Sequence, residues 1–345
     1  MIKRIKVGMG SCGIAAGADK VYDFLKEKLI HIPILAVGCI GHCYAEPMIE
    51  IETENESIYY DKIKILDDNF ISQITNLDKT HQFSAPLTRT QHEIRLVSAL
   101  AGRIDPVDIE EYENMGGYSG LKTALTMSPL EVIDQIKSSG LRGRGGGGYP
   151  THLKWMRLFE QKSRQKIFIC NADEGDPGAF MDRSLMESIP HQIIEGILIG
   201  AYATKATKAF IYIRAEYPLA VQNLKTALNQ AYHKKYHHLN EIEIEIVIKE
   251  GAGAFVCGEE TALIASLEGK RGNPHFRPPF PTEKGYLGYP SMINNVETIA
   301  NIPVILRDGF EVLSKLGTFN SKGTKLFALA GNVKYSGLVE VPMGI

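Results

Sequence analysis

The sequence predicts an α/β protein of two or three domains, and three observations support this fold class. The 345 residues exceed the length of one typical domain. Between residues 166 and 249, short apolar runs alternate with longer helical patterns, which is typical of a largely parallel sheet with helices packed on it. The first 80 residues contain short strand patterns around two helical patterns, which indicates a smaller, separate sheet layer.

The N-terminal elements follow from hydrophobic periodicity. Strands are predicted at residues 2–7, 32–37, 48–52 and 58–60, and helices at residues 18–29 and 67–77. A polar stretch with one proline, residues 79–92, predicts a linker. A helical region is predicted over residues 94–139, where Ser128 and Pro129 mark a helix start and Gly140 a helix stop.

The second half of the chain alternates between the two kinds of element. Strands are predicted at residues 166–170, 209–213 and 241–249, and helices at residues 191–203, 219–232 and 296–306. From Gly323 the pattern changes to short strands around glycine turns, and the chain ends at Ile345 within that pattern. This ending predicts either a fragment of a longer protein or a naturally truncated relative, and the stop within a strand pattern favours a fragment.

Composition and charge narrow the range of functions. The sequence is 44% hydrophobic and 23% charged, as expected for a folded globular protein, and its net charge of -2 predicts neither nucleic acid nor an anionic membrane as a partner. No apolar run reaches the roughly 18 residues that a membrane span needs. The N-terminus lacks the apolar region of a signal peptide, and five unevenly spaced cysteines do not form a secreted disulfide framework. We expect a cytoplasmic protein, free or peripheral to the inner face of the membrane within a larger assembly.

Residues 141–155, LRGRGGGGYPTHLKW, contain a glycine-rich loop. Gly143, Gly145 and Gly148 match G-x-G-x-x-G, but a helix precedes them and Tyr149 and Pro150 follow, so the strand-turn-helix context of a dinucleotide fingerprint is missing. A backbone with so few Cβ atoms can bring several N–H groups against a flat ring or a phosphate. A flexible surface loop is the alternative, but the positive charges of Arg142, Arg144 and Lys154 favour a ligand.

Two acidic loops come next. Asp173, Glu174 and Asp176 follow directly on a predicted strand, where open α/β sheets bind their ligands, although a solvated turn would have a similar composition. Glu259 and Glu260, after Gly258, open a predicted helix and gain from its N-terminal N–H groups. Capping of the helix N-terminus is the alternative role, and it would explain the presence of one glutamate better than the presence of two. Asn294 and Asn295 precede another predicted helix, where capping and ligand binding are both open.

Four long motifs occur in order: GLRGRGGGGYPTHLKW, CNADEGDPGAF, GAGAFVCGEETALIASLEG and INNVET. Together they resemble the flavoprotein subunit of respiratory NADH:quinone oxidoreductase, and the corresponding subunits of soluble NAD-linked hydrogenases and formate dehydrogenases. The resemblance covers about residues 95–345. It implies an FMN-containing NADH dehydrogenase module in which NADH passes a hydride to flavin N5. Single electrons then leave for the iron–sulfur clusters of partner subunits, and no side chain acts as general acid or base.

The resemblance also assigns positions in this sequence to ligands. The residues that it implies for the FMN site are Gly143, Arg144, Gly145, Lys154, Asn171, Asp173, Glu174, Gly258, Glu259, Glu260, Asn294 and Asn295, with Glu174 near the flavin and the nicotinamide. Tyr149 and Phe280 are expected to sandwich the adenine of NADH. Arg277 is expected near the dinucleotide phosphates or ribose, and Asp176 at the ribose.

Several positions depart from the family pattern. His152 replaces a usual glycine, Asp176 a longer glutamate, and Phe255 a usual tyrosine. Arg157 occupies a position that is often aromatic, and Arg277 one where lysine is common. These changes affect the expected NADH site more than the FMN site, and they leave the choice between NADH and NADPH open.

The N-terminal cysteines Cys12, Cys39 and Cys43 resemble the thioredoxin-like [2Fe–2S] domain of the same enzymes, whose first cysteine would fall at Val7. Since a [2Fe–2S] cluster normally takes four thiolates, three alternatives stay open. The cluster has been lost, it uses a substitute ligand such as His42, or the site binds zinc. Cys170 and Cys257 are predicted to be core residues.

The resemblance implies four regions in the chain. Residues 1–80 form a thioredoxin-like domain, residues 81–117 a linker and helical segment, residues 118–320 a Rossmann-like FMN- and NADH-binding domain, and residues 321–345 the beginning of a β-grasp-like domain. The alternative to a dehydrogenase module is a non-catalytic flavin-binding or scaffold subunit of such a complex. The incomplete cysteine pattern motivates that alternative.

Overall fold

The computed structural model describes residues 1–83, 90–251 and 253–345. Part of the predicted linker and one residue of the second acidic loop, at positions 84–89 and 252, lie outside the described residues. Three main sheets follow one another along the chain, so the predicted α/β class is confirmed. None of the helices in the described part of the chain is long and apolar enough to cross a bilayer.

The first sheet has the order β2-β1-β3-β4, with β1 and β2 parallel and the other neighbours antiparallel. Its elements are β1 Ile2–Gly8, α1 Ser11–Ala16, α2 Ala18–Lys28, β2 Ile34–Val37, β3 Ile49–Thr53, β4 Ser57–Tyr60 and α3 Asp68–Thr75. Apolar residues alternate along β1 and β3, and their buried side chains form one core cluster with α2 and α3. A mixed sheet with helices is the arrangement expected for this region.

Helices dominate the segment that connects the first two sheets. They are α4 Ile109–Asn114, α5 Ser119–Leu125, α6 Pro129–Ser139 and α7 Thr151–Glu160. The predicted start of α6 is confirmed, because Ser128 and Glu131 form a capping box and Gly140 ends the helix in the left-handed conformation. The prediction of one helical region over residues 94–139 was too broad, since no regular helix begins before Ile109 in the described part of this segment.

The second sheet is entirely parallel and has the order β10-β5-β6-β9. The elements of this part of the chain are β5 Ile167–Ala172, α8 Met181–Ser188, α9 Pro190–Thr204, β6 Lys208–Arg214, α10 Pro218–His233, β7 His238–Leu239, β8 Ile242–Glu243, β9 Glu245–Gly251, α11 Glu260–Leu267, β10 Ser291–Asn295, α12 Val296–Asp308 and α13 Glu311–Ser314. The single strand predicted over residues 241–249 is two strands, because β8 turns back to pair with β7. Strand β10 was not predicted.

Both faces of the parallel sheet are buried, as parallel sheets require. One face packs with α9, α10 and α12 in the largest core cluster, and the other face packs against α11. The C-terminal residues form an antiparallel hairpin of β11 Thr324–Leu329 and β12 Gly337–Pro342. In the sheet, β6 and then β9 lie on one side of β5, whereas the last strand in the sequence, β10, lies on the other side of β5. The strand order therefore reverses between β5 and β10. Ligands of open α/β sheets bind at such reversal points.

Candidate functional site

A cleft opens at the carboxyl ends of β5 and β10, at the point where the strand order reverses. The cavity between its walls measures about 400 Å³. Pockets that bind one small-molecule ligand measure roughly 300–1,000 Å³. The cleft therefore has the size of a pocket for a ligand such as a flavin mononucleotide. Twelve of the predicted residues line it, namely Gly143, Gly145, Tyr149, Lys154, Asn171, Gly258, Glu259, Glu260, Arg277, Phe280, Asn294 and Asn295.

The glycine loop, residues 143–148, forms one wall and is closed at its base. The N–H of Gly143 donates to the carbonyl of Tyr149 at 2.9 Å, and the Arg142 side chain donates to the carbonyl of Gly148 at 2.6 Å. A Cβ at Gly145 would lie 3.0 Å from the Cβ of Asn295, so the loop needs glycine to approach β10 this closely. At Gly147 nothing lies within 4 Å of such an atom, because that position borders the open cleft.

Arg144 lies in the same loop, but its guanidinium does not reach the cleft. The side chain is buried and donates to the carbonyls of Thr324 and Lys322, which belong to the start of the C-terminal hairpin and the residues before it. The backbone N–H of Arg144 donates to the hydroxyl of Thr298 at 2.8 Å. Arg144 therefore fixes the loop between α12 and the C-terminal hairpin, and its effect on a ligand would pass through the backbone.

Helix α7 begins at the cleft and supplies a cation to it. Lys154 donates to the Glu260 carboxylate and, at 3.0 Å, to the carbonyl of Ile293 on β10. The next residue, Trp155, is buried and donates from its indole nitrogen to the side-chain oxygen of Asn294 at 2.9 Å. These bonds hold the asparagine and the lysine against the strand end.

The carboxyl end of β5 is tied to the second acidic loop. Asn171 donates its side-chain N–H to the carbonyl of Gly258 at 3.0 Å. Glu259 caps α11 by accepting hydrogen bonds from the N–H groups of Thr261 and Ala262. Partial burial opposes ionisation of this carboxyl, but the hydrogen bonds outweigh it and hold the pKa of Glu259 below its ordinary value. Glu259 therefore has the capping role that one glutamate was expected to have, while Glu260 pairs with Lys154.

Asp173, Glu174 and Asp176 occupy different environments beyond β5. One carboxylate oxygen of Asp173 is buried without a hydrogen-bond partner in the described residues, and burial raises the pKa of this group to about 6. Glu174 caps α8, since its carboxylate accepts from the N–H groups of Asp182 and Arg183 at 3.1 Å each, and it does not line the cleft. Asp176 is exposed in the loop and also lies outside the cleft wall. The ligand roles of all three residues stay predictions.

The mouth of the cleft carries two half-exposed aromatic rings. Tyr149 is 38% and Phe280 41% exposed, and both line the opening. The guanidinium carbon of Arg157 lies 5.6 Å from the centroid of the Tyr149 ring and 5.8 Å from that of Phe280. Arg277 lies 3.6 Å from Glu260 and 4.0 Å from Glu259. The rings are therefore available for stacking against a planar group that enters the cleft.

Several unpartnered polar groups of the cleft fit a phosphorylated, ring-shaped cofactor such as FMN. Within the described residues, the N–H groups of residues 145–148 donate to no acceptor. Thr151, at the N-terminus of α7, is buried and its hydroxyl also has no partner there. Loop amides and an uncapped helix N-terminus bind phosphate well. Thr151 was not predicted, although its position directly after Pro150 at a helix start was a usable signal.

Thr298, Thr282 and the residues of β10 also line the cleft, and apart from the two asparagines they were not predicted. The strand was missed because its apolar run, Met292 and Ile293, is only two residues long and lies between polar residues. Its register with β5 brings Asn294 opposite Cys170 and Asn295 opposite Asn171. Both asparagines belong to the strand end, and Asn295 also caps α12 through a bond from the Thr298 N–H at 3.2 Å.

The three N-terminal cysteines converge beside α8, but they do not form a compact set of ligands. The sulfur atoms of Cys39 and Cys43 are 3.9 Å apart, and Arg183 approaches Cys12 to 3.9 Å. A hydrogen bond with Cys43 lowers the pKa of Cys12 to about 6. In the described ranges, no three possible metal-ligand atoms at this site lie within 4.8 Å of one another. We call this group of residues the cysteine site.

A four-thiolate cluster does not fit the cysteine site. Val7, which stands at the expected fourth position, is fully buried in the core of the N-terminal sheet. His42 bonds to the carbonyl of Ile40 at 3.3 Å, and its ring packs near Tyr44 and Phe83. The alternatives of a lost cluster, a substitute ligand and zinc therefore remain predictions. Cys170 and Cys257 are buried in the core, as predicted.

Comparison with known proteins agrees with this site. Residues 136–304, which include the glycine loop and both strand ends, match the family model of the Nuo51 FMN-binding domain. The chain is 51% identical over 267 residues to the HndC subunit of the NADP-reducing hydrogenase of Solidesulfovibrio fructosivorans, a match that covers 76% of this chain and 54% of that protein. It is 49% identical over 239 residues to an NADH-quinone oxidoreductase subunit of Aquifex aeolicus (strain VF5), a match that covers 68% of this chain and 56% of that protein.

A solved structure extends the similarity to the whole fold. The crystal structure of an NAD+-reducing [NiFe]-hydrogenase in the H2-reduced state matches with a TM-score of 0.65 and 30% identity, covering all of this chain and 60% of that one. The chain thus spans little more than half the length of the relatives it matches. Through residues 136–304, just under half of its length, this chain matches the family of the Nuo51 FMN-binding domain.

Proposed function

We propose that this chain is the FMN-dependent NADH dehydrogenase module of a larger electron-transfer complex. The observation that carries the proposal is the cleft at the reversal of strand order, where free loop amides, the N-terminus of α7 and Lys154 meet. Those groups suit the phosphate and polar edge of FMN, and the two aromatic rings at the mouth suit the adenine of NADH. When bound, FMN supplies the capacity to accept a hydride and to release electrons one at a time.

The chain's own residues would bind and orient both molecules. The glycine loop gives a surface without side chains on which a flat ring can lie, and Asn171, Asn294 and Asn295 offer amides at the strand ends. Tyr149 and Phe280 would hold the adenine, and Arg277 would lie near the dinucleotide phosphates or ribose. The chain would contribute to the rate by positioning the nicotinamide against the flavin, and no side chain need donate or accept a proton.

The names of the relatives describe parts of an oxidoreductase and of a hydrogenase, which supports the proposal that this chain works with partner subunits. Those partners would receive the electrons on iron–sulfur clusters. We further propose a cytoplasmic location, free or peripheral to the inner face of the membrane. Fractionation of cells into soluble and membrane-associated proteins, followed by detection of this chain, tests that location.

The central test uses the purified 345-residue chain, reconstituted with FMN and desalted. We expect a flavin absorption band that stays with the protein, and we expect anaerobic NADH to bleach the band while NAD+ leaves it unchanged. If no flavin band remains, the cofactor assignment is wrong. If the band remains and NADH does not bleach it, the dehydrogenase assignment is wrong and a flavin-binding subunit without this activity is the better description.

A non-catalytic flavin-binding or scaffold subunit is the second candidate. The observation that favours it is the cysteine site, which has three thiols where a [2Fe–2S] cluster takes four. Iron and acid-labile sulfide analysis of the purified chain separates the alternatives for that site. Equal amounts of iron and sulfide would indicate a cluster with a substitute ligand, whereas zinc without sulfide would indicate a zinc site.

A further inference from the structure

The cleft wall carries one more cation than it has carboxylates to neutralise. Its charged lining residues are Lys154, Arg157, Arg277, Glu259 and Glu260. Lys154 pairs with Glu260, and Arg277 lies within 4.0 Å of Glu259 and 3.6 Å of Glu260. Among the residues that the structure describes, no carboxylate lies within ion-pair distance of Arg157. Its charge is therefore available to an anion that enters the cleft.

The position of Arg157 suits one part of an adenine dinucleotide. The residue lies in the last turn of α7, and its guanidinium is close to both aromatic rings of the mouth, at 5.6 and 5.8 Å. A guanidinium can stack on an aromatic face while its edge donates two hydrogen bonds to a phosphate. An anion bound at that edge would lie beside a ring stacked in the mouth. In an adenine dinucleotide, the groups beside the adenine are the ribose hydroxyls or a 2′-phosphate.

Acidic and basic residues at such a position select different dinucleotides. A carboxylate binds the 2′-hydroxyl of NADH and repels a 2′-phosphate, whereas an arginine accommodates the 2′-phosphate of NADPH. Here Asp176 lies outside the cleft wall, and Glu259 and Glu260 face Arg277 and Lys154. Within the described part of the cleft wall, no unpaired carboxylate therefore opposes a 2′-phosphate next to Arg157.

We propose that Arg157 binds the adenosine 2′-phosphate, so that the cleft accepts NADPH as well as NADH. This inference rests on the proposed function, because it assumes that the mouth of the cleft takes the adenine end of a dinucleotide. Arg157 would then determine the choice between NADPH and NADH, through a contact with the dinucleotide that is far from the reacting atoms. The interaction is one of charge at an exposed site, so it weakens as the salt concentration rises.

The test compares two small probes that differ by one phosphate. Binding of adenosine 2′,5′-bisphosphate and of 5′-AMP to the FMN-loaded 345-residue chain is measured by titration calorimetry. The wild-type chain should bind the bisphosphate about tenfold more tightly, the value of one charge-assisted phosphate contact. In Arg157→Gln that ratio should fall close to one, while the affinity for 5′-AMP changes little. Arg164→Gln, which removes an exposed arginine outside the cleft wall, should keep the wild-type ratio.

Each other outcome overturns the inference. If Arg157→Gln weakens both probes equally, Arg157 binds the 5′-phosphate and not the 2′-phosphate. If Arg164→Gln lowers the ratio as much as Arg157→Gln, the preference reflects general charge. If the wild-type chain binds both probes equally, or neither, the assignment of Arg157 is wrong. FMN uptake and bleaching by NADH are measured on the same samples, so the proposed function can stand when this inference fails.

Discussion

The cleft and the cysteine site differ in how completely the chain supplies the groups that each would need. The cleft has loop amides, a helix N-terminus, paired lysine and glutamate side chains and two asparagines fixed at strand ends. The cysteine site has three thiols, and Val7 stands in the core at the fourth position. Both regions resemble parts of the same enzyme family. The comparison nevertheless teaches that the presence of binding groups in the cleft does not imply a complete ligand set at the cysteine site.

Helix α8 connects the two regions, so the difference between them is local. Asn295 at the cleft donates to Asp182 in the first turn of α8 at 2.5 Å. At the other end, the hydroxyl of Ser188 accepts a hydrogen bond from the N–H of Cys39 at 3.1 Å, and Glu187 accepts from the N–H of Ser11 at 2.9 Å. Helix α8 thus contacts both the cleft, where the expected ligand-binding groups are present, and the cysteine site, where one of the four expected thiols is absent.

The largest effect that would test the comparison is expected at Lys154. Lys154→Met removes one of the three cations that line the cleft and leaves Glu260 with Arg277 as its ion-pair partner. We expect the dissociation constant for FMN to rise about 10- to 100-fold, since a charged hydrogen bond contributes about 1.5–3 kcal/mol. Fluorescence titration of FMN measures the change. As a control, Lys162→Met removes an exposed lysine just after α7 and should leave FMN binding unaltered. If Lys154→Met binds FMN as tightly as the wild type does, the cleft does not use this lysine for FMN and cannot be called complete on its account.

A second prediction sharpens the account of the glycine loop. Gly145→Ala brings a methyl group to 3.0 Å from Asn295, so it should lower the free energy of unfolding by about 1–3 kcal/mol, as overpacking does. Gly147→Ala meets no atom within 4 Å and should leave stability unchanged within about 0.5 kcal/mol. Its methyl group faces the cleft, so FMN affinity should fall all the same. Denaturant unfolding without ligand and FMN titration together separate packing from binding, and equal stability loss in both variants would contradict the loop geometry.

The sequence predicted correctly those features of the fold and the site that depend on the residue types within one continuous segment. The α6 boundaries follow from Ser128 and Gly140, and the glycine loop follows from its composition. It was less informative where a contact joins distant segments. The isolated pattern around Met292 does not reveal β10, because the strand is stabilised by its register with β5. Likewise, the burial of the Arg144 guanidinium depends on carbonyls at residues 322 and 324, which only the folded chain brings near.

The smallest effect on the cleft is expected at Glu46, which lies next to the cysteine site and affects stability. Burial, together with the nearby Cys12, raises the pKa of this carboxyl to about 8 from an ordinary value of 4.5. Between about pH 4.5 and pH 8, the Glu46 carboxyl is therefore protonated in the folded chain and ionised in the unfolded chain. The stability contributed by the protonated carboxyl is complete below about pH 4.5 and is lost as the pH rises through about 8.

Glu46→Gln keeps the shape and hydrogen-bonding capacity of the side chain but removes its titration. The difference in unfolding free energy between the variant and the wild type should therefore shift in favour of the variant by up to about 4 kcal/mol between about pH 5 and pH 9, since each pKa unit corresponds to about 1.4 kcal/mol. Urea unfolding at both pH values measures it. Glu56→Gln is a matched control, because Glu56 is exposed and pairs with Lys79 at the surface. A pH-independent difference for the Glu46 variant would mean that the carboxyl is hydrated, and the cysteine site would then be more open to solvent than its packing against α8 implies.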